Sequence, residues 1–139
     1  MRTLLGVLLA TGLAVAAPVP KELKKDDLSR LEGEWQTIRA EVNGRESTKD
    51  FLVFTRESVN WKPSRDAADI LWKLTVDPSK TPKEFAIVLT SHSGGVTYLG
   101  FYKFEGDTLT LCCKQNALPE GFSSEGAYLH VLKRAEASK

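Results

Sequence analysis

The sequence has few of the residues that mark disulfide-stapled or metal-binding proteins. Its 139 residues include only two cysteines and two histidines. The cysteines, Cys112 and Cys113, are adjacent, and neighbouring residues of a strand point to opposite faces. A bridge between them would distort the strand, so disulfides do not hold this domain together. The fold must therefore depend on a hydrophobic core.

The chain also lacks an excess of charge of either sign. Lys and Arg number 19 against 18 for Asp and Glu, which gives a formal net charge of +1. Binding to nucleic acid generally requires a positive stripe that displaces counterions from phosphates, and the sequence has none. The charged run 21–27 mixes both signs, which is typical of a solvated segment. We therefore expect no nucleic-acid partner.

A long uncharged run occurs only at the N-terminus. Arg2 precedes an apolar stretch from Leu4 to Val15, and small residues follow in an A-x-A pattern that ends at Ala16. The stretch is shorter than the roughly 20 residues that cross a bilayer. We expect residues 1–16 to be a signal peptide and the mature protein to be exported, either periplasmic or extracellular. An uncleaved N-terminal anchor is the alternative.

The rest of the chain reads as one domain, 28–134, between a polar lead-in at 17–27 and a tail at 135–139. Its length suffices to bury a single core. Eight segments have β-strand character and are joined by turn residues, and no stretch is long enough for a helical crossover. These segments are 35–42, 51–54, 59–62, 70–76, 85–89, 96–104, 108–114 and 127–133.

Sequential antiparallel strands of this number close most economically on themselves, because closure removes both sheet edges. We predict an all-β fold, an eight-stranded antiparallel up-and-down barrel, with a two-sheet sandwich as the alternative. One helical turn at 27–31, with Asp26 or Asp27 as its N-cap, precedes the first strand and closes one end. A phase shift near Thr37 indicates a bulge, and Asn43-Gly44 indicates a two-residue turn.

The start of the first strand carries a glycine two residues ahead of a tryptophan. Gly33 allows a sharp bend from helix to strand, and Trp35 then points into the barrel and fills its closed end. Arg134, at the end of the last strand, lies beside the first strand once the barrel closes. Its guanidinium can cover the indole and donate to carbonyls of the helical turn. We predict that these three residues close the barrel.

These positions resemble the signature of the calycin superfamily, the lipocalins and their relatives, which is Gly-x-Trp at the first strand and a basic residue after the last. In order along the chain, LEGEWQ, VDPSKTPKEF, LGFYKFEGDTLTLCC and VLKR look like an uncharacterised lipocalin-like domain family of Planctomycetes. The resemblance covers Leu28 to Arg134. It implies a small barrel with a ligand cavity, and no established activity.

Several aromatic residues occupy the alternate positions of their strands that are mainly apolar, so they are predicted to face the interior: Trp61, Trp72, Phe85, Tyr98 and Tyr102. An apolar interior with tyrosine hydroxyls suits a small, largely apolar ligand bound without covalent chemistry. The leading hypothesis is therefore a non-enzymatic binding protein. In the alternative, the same side chains fill the barrel, and the protein is a protein-interaction or envelope-associated module.

The sequence marks no catalytic or metal site. His92 and His130 have no Cys, His, Asp or Glu at a metal-ligand spacing. Ser91-His92-Ser93 lacks an evident base, orienting acid and oxyanion hole, and the acidic residues lie scattered among turns. We expect no catalytic residues, no metal and no cofactor.

Two features of the outer face remain. Cys113 shares a strand face with leucines and is predicted inside, which places Cys112 outside as a candidate reactive thiol. We favour two thiols that are partly buried and inert, and the alternative is an accessible Cys112 that reacts or links two chains. We expect a monomer. Leu99 and Phe101 share the face opposite the interior, where they would offer an apolar patch to a protein partner.

Overall fold

The structure is a computed structural model that describes residues 26–89 and 95–136. The predicted signal peptide, most of the lead-in, Ser91-His92-Ser93 and the last three residues lie outside these ranges. Within them, no helix has the length and apolar character that a bilayer-crossing segment needs.

The described chain contains one short helix and nine strands, so the predicted all-β class is confirmed. The helix α1 spans Asp27–Leu31. The strands are β1 Gly33–Val42, β2 Arg45–Glu46, β3 Phe51–Phe54, β4 Ser58–Lys62, β5 Leu71–Asp77, β6 Lys83–Leu89, β7 Val96–Glu105, β8 Thr108–Gln115 and β9 Tyr128–Arg134.

Eight of these strands form a closed antiparallel barrel. From β3 to β9 each strand pairs with the next, and β1 pairs with both β3 and β9. The β1–β9 pairing runs from Trp35 opposite Arg134 to Val42 opposite Tyr128, with a register shift between Thr37 and Arg39. The predicted up-and-down barrel and its bulge in β1 are therefore present, and the sandwich alternative is not.

The ninth strand was not predicted. The two-residue β2 pairs only with the end of β1, as the second arm of a hairpin. The turn between them is Asn43-Gly44, whose φ values of 50° and 73° are those of a primed hairpin turn. The turn was predicted correctly, but the arm after it is too short and too polar to show alternation.

Helix α1 covers one end of the barrel, called here the closed end. Asp26 is its N-cap and accepts a hydrogen bond of 2.7 Å from the Ser29 backbone N–H. Leu31 is buried in the core. Asp27 is also buried, and its Oδ2 accepts hydrogen bonds from the Tyr102 hydroxyl at 2.7 Å and the Lys83 ammonium at 2.8 Å. One charged side chain of the helix is therefore tied to two strands.

Trp35 and Arg134 meet at the same end. The Trp35 ring is buried, and its Nε1–H donates to the Leu31 carbonyl at 2.7 Å. The Arg134 guanidinium lies 4.2 Å from the centroid of that ring and donates to the carbonyls of Arg30 and Glu32. One arginine therefore joins the last strand to the first strand and to the helix.

Gly33 is required by this arrangement for two reasons. Its φ of +117° is a conformation that L side chains rarely adopt. A Cβ at this position would also lie 2.7 Å from Nη1 of Arg134. The structure thus brings together the three residues of the predicted closure.

Truncation of the indole tests the importance of the closed end. We expect Trp35→Ala to lower the free energy of unfolding by about 3–5 kcal/mol, because it leaves a cavity beneath Arg134. Ile38→Ala is a matched control on the same strand, since Ile38 is 42% exposed, and it should cost about 0.5 kcal/mol or less. Urea unfolding measures both variants. Equal stability of the two variants would contradict the closure.

The Asp27 carboxylate makes the free energy of unfolding depend on pH in the acidic range. Burial alone would raise the pKa of Asp27, but the hydrogen bonds from Lys83 and Tyr102 outweigh it and hold that pKa below its usual range. A carboxylate whose pKa is lower in the folded state than in the unfolded state stabilises the fold fully at pH values above its unfolded-state pKa of about 4. This stabilisation is lost as the pH falls through the folded-state pKa.

We therefore expect Asp27→Asn to lower the free energy of unfolding at pH 7 by about 1–3 kcal/mol, as for hydrogen bonds to charged groups. The deficit relative to wild type should shrink as the pH falls from 5 to 2. Denaturant unfolding across this range measures the deficit, with the exposed Asp66→Asn as control. A deficit that does not change with pH would show that the carboxylate charge is not what stabilises the closed end.

Candidate functional site

The barrel interior is filled at one end and hollow at the other. In the closed half, core side chains leave a void of only about 10 Å³, which is about the space of a single water molecule. At the opposite end, called the open end, lies a cavity of about 220 Å³. The open cavity is lined by Asp50, Trp61, Ile70, Trp72, Ile87, Tyr98, Cys113 and Tyr128.

The walls of the open cavity are mainly aromatic. Tyr98 makes edge-to-face contacts with Trp72 and with Tyr128, at centroid distances of 5.6 Å and 5.8 Å. Tyr128 and Ile70 are 40% and 39% exposed and stand at the rim. Aromatic residues on three strands therefore form a continuous arc that opens to solvent.

Three of the five predicted interior aromatics line this cavity: Trp61, Trp72 and Tyr98. Phe85 and Tyr102 face inward as well, but they lie in the filled half and border the small void. The Tyr102 hydroxyl donates to Asp27 of the helix, so it does not line the open cavity with the hydroxyl of Tyr98. Strand parity distinguishes inside from outside, but it does not give the height of a residue along the barrel axis.

Phe85 has a local reason to lie in the filled half. Its ring packs 6.5 Å from that of Tyr102, and it stands over Gly100 of the neighbouring strand. A Cβ on Gly100 would come within 2.7 Å of the Phe85 ring and 2.3 Å of the Cys112 carbonyl. This glycine therefore lets a bulky ring reach the backbone, which leaves no ligand space beside Phe85.

Asp50, which was not predicted as a site residue, is the one carboxylate among the described residues that line the open cavity. Trp61 Nε1–H donates to Asp50 Oδ2 at 2.8 Å, and His130 Nε2 lies 3.4 Å from the same oxygen. Burial favours the neutral acid, but the contacts with His130 and Trp61 outweigh it and hold the pKa of Asp50 below its usual range. Asp50 is therefore ionised at neutral pH.

Behind this carboxylate, His130 and Thr37 form a polar cluster with Asp50. The hydrogen bonds of this cluster are incomplete. The imidazole is 3% exposed and meets the Trp61 ring edge-on, 4.9 Å between centroids. Among the described residues, neither ring nitrogen has a hydrogen-bond partner of good geometry, and neither does the buried Thr37 hydroxyl. The Thr37 N–H donates to the Asp50 carbonyl at 3.0 Å, which links the three residues. Buried polar groups are rarely left unpaired, and here they border the cavity wall.

A sequence signal for this group existed. His130 lies two residues from the buried Leu132, and Asp50 lies two residues from the buried Leu52, so both polar residues have the inward parity. Their mutual proximity has no sequence signal, because it depends on the register of β9, β1 and β3 across the closure of the barrel.

Cys112 is buried, as the favoured hypothesis predicted, and the alternative of an accessible thiol at this position is wrong. Both thiols are free, and both are buried. Cys112 does face away from the interior, but the segment 116–126 covers it, and its Sγ–H donates to the Ser123 carbonyl at 3.3 Å. Burial raises the pKa of Cys112, and burial together with Cys112 raises the pKa of Cys113 to about 12. A dimer linked through Cys112 would require this segment to detach.

The same segment covers the predicted outer patch. Phe101 is 8% exposed and packs against Phe122 with their centroids 6.1 Å apart, while Leu99 is half-buried. Ser124 holds the segment in place, since its backbone carbonyl and its hydroxyl accept from the N–H groups of Asn43 and Gly44. An open apolar patch at Leu99 and Phe101 is therefore not present.

No family model, curated protein or solved structure matches this chain. The resemblance to the lipocalin-like family accordingly stays a prediction from the sequence. Among the residues that the structure describes, no group of three or more His, Cys, Asp or Glu side chains could hold a metal ion.

Thiol labelling tests the cover over the outer face. We expect both cysteines to react with Ellman's reagent at least about 100-fold more slowly in the native protein than in the unfolded chain, because reaction requires local opening. Phe122→Ala should accelerate labelling of Cys112 and leave Cys113 slow. Leu118→Ala is the control, since it truncates a 41% exposed side chain of the same segment. Native labelling of Cys112 at the unfolded rate would mean that the segment does not cover it.

Proposed function

We propose that this protein is an exported, non-enzymatic binding protein that holds a small, largely apolar molecule noncovalently in the open cavity. The observation that carries the proposal is the division of the barrel into a filled closed half and an aromatic cavity with an accessible rim. A barrel that acted only as a structural module would have no need of a hollow half.

The size of the cavity limits the ligand. An apolar cavity of about 150 Å³ holds benzene, and pockets for drug-sized molecules start near 300 Å³. At about 220 Å³, the open cavity suits a molecule a little larger than one aromatic ring. We therefore propose a ligand smaller than the fatty acids or polycyclic compounds that would need a deeper barrel.

The groups on the cavity wall support binding rather than covalent chemistry. The only thiol in the wall is Cys113, and its pKa of about 12 keeps it protonated and weakly nucleophilic. Burial, with Tyr128 and Cys113 nearby, raises the pKa of Tyr98, so that its hydroxyl stays neutral. Asp50 is ionised and already holds the Trp61 indole. This arrangement favours orientation of a ligand by a few polar contacts.

Tryptophan fluorescence tests the proposal with a neutral probe, 3,3-dimethylbutan-1-ol, which does not absorb in the tryptophan range. We expect a saturable change in emission, because Trp61 and Trp72 line the open cavity. Tyr128→Ala should weaken binding about 2-fold to 12-fold, as expected for about 0.5–1.5 kcal/mol of aromatic contact. Leu71→Ala is the matched control, since Leu71 is 62% exposed and lies beside Trp72 on the outer face.

The alternative, a module with a filled interior, gives a different result. The probe would then cause only a linear, unsaturable change in emission, and Tyr128→Ala would behave like Leu71→Ala. That result, if the positively charged isostere of the probe also fails to bind, would contradict the proposed function.

A further inference from the structure

Asp27 forms a salt bridge with a lysine, and Asp50 forms none with any lysine that the structure describes. Asp27, at the closed end, accepts from an ammonium at 2.8 Å and a tyrosine hydroxyl at 2.7 Å. Among the described residues, no lysine or arginine lies within salt-bridge distance of Asp50, whose only such contact is the His130 imidazole at 3.4 Å. A partly buried carboxylate that no lysine or arginine pairs creates a negative potential in its surroundings, and here these surroundings are a cavity.

The aromatic walls add to this potential. The face of an aromatic ring is electronegative, and a cation close to several rings gains attraction from each. Trp61, Trp72, Tyr98 and Tyr128 all line the cavity that Asp50 borders. Rings grouped around one carboxylate form the arrangement that recognises ammonium groups, which combine a positive charge with an apolar surface.

No lysine or arginine of the described residues faces the cavity. Lys62 follows Trp61 on β4 and has the outward parity, and its ammonium contacts Asp69 on the outside at 3.4 Å. His130 contacts Asp50 at 3.4 Å without good hydrogen-bond geometry.

We propose that the ligand of the open cavity is a small organic cation, an alkylated ammonium whose charged head lies among the four aromatic rings and faces Asp50. The inference rests on the proposed function, since it names the class of ligand for the same cavity. The apolar substituents of such a cation meet the aromatic walls, and its charge meets the carboxylate. No covalent step is involved.

Two probes of equal shape separate charge from size. Choline and 3,3-dimethylbutan-1-ol differ only in that a quaternary nitrogen replaces a quaternary carbon. We expect choline to bind wild-type protein at least about tenfold more tightly at pH 7, because only the cation is attracted by the ring faces and by the carboxylate. Titration calorimetry or tryptophan emission gives both dissociation constants.

Two substitutions then identify the source of the preference. Asp50→Asn keeps an oxygen that can accept from Trp61 but removes the charge, and it should abolish most of the choline preference while the neutral probe still binds. Asp69→Asn removes an equal charge on the outer face, where the carboxylate is 74% exposed, and it should leave the preference intact. Thermal unfolding confirms that each variant is folded.

A further variant tests the rings without changing the carboxylate. Trp72→Leu keeps an apolar wall and removes one π face, so choline affinity should fall severalfold more than affinity for the neutral probe. This readout applies even if Asp50→Asn does not fold.

The outcomes separate the two proposals. Equal affinity for the two probes in wild-type protein would overturn the cation inference and leave the proposed function standing. A choline preference that survives Asp50→Asn, or falls equally with Asp69→Asn, would also overturn it. Binding of neither probe would overturn both.

Discussion

The contact between Arg134 and Trp35 is the constraint on which the rest of this barrel depends. One guanidinium covers the indole and donates to carbonyls of Arg30 and Glu32, so it joins the last strand, the first strand and helix α1 at a single point. The indole donates in turn to the Leu31 carbonyl. With the helix held in this position, Leu31 enters the core, and the closed half has no room for a ligand. The hollow space is consequently confined to the opposite end.

The two halves of the barrel use a carboxylate in different ways. Asp27 is tied to Lys83 and Tyr102, and its charge is used to hold the helix to the barrel. Asp50 is held by an indole N–H and an imidazole at longer range, and it borders a cavity. A charge that is neutralised within the fold stabilises it, whereas a charge left facing an apolar cavity favours a partner of opposite sign.

Much of the fold could be predicted because its signals are local. Alternation of apolar residues gave the eight barrel strands, Asn43-Gly44 gave a hairpin turn, and Gly33 with Trp35 indicated which end is closed. The candidate site was only partly accessible in this way. Parity placed Phe85 and Tyr102 inside, but their position along the axis follows from strand register and from α1. The burial of Cys112 and Phe101, and the meeting of Asp50 with His130, depend on contacts distant in sequence.

The barrel interior is divided into a filled and a hollow half, and the three tryptophans of the chain report on the two halves separately. Trp35 lies at the closed end, and Trp61 and Trp72 line the open cavity. The most direct measurement follows their three indole N–H signals in a ¹H–¹⁵N spectrum during titration with 3,3-dimethylbutan-1-ol. We expect the Trp61 and Trp72 signals to shift with one saturation curve while the Trp35 signal stays fixed. A shift of the Trp35 signal along the same curve, or no saturable shift of any indole, would contradict this division.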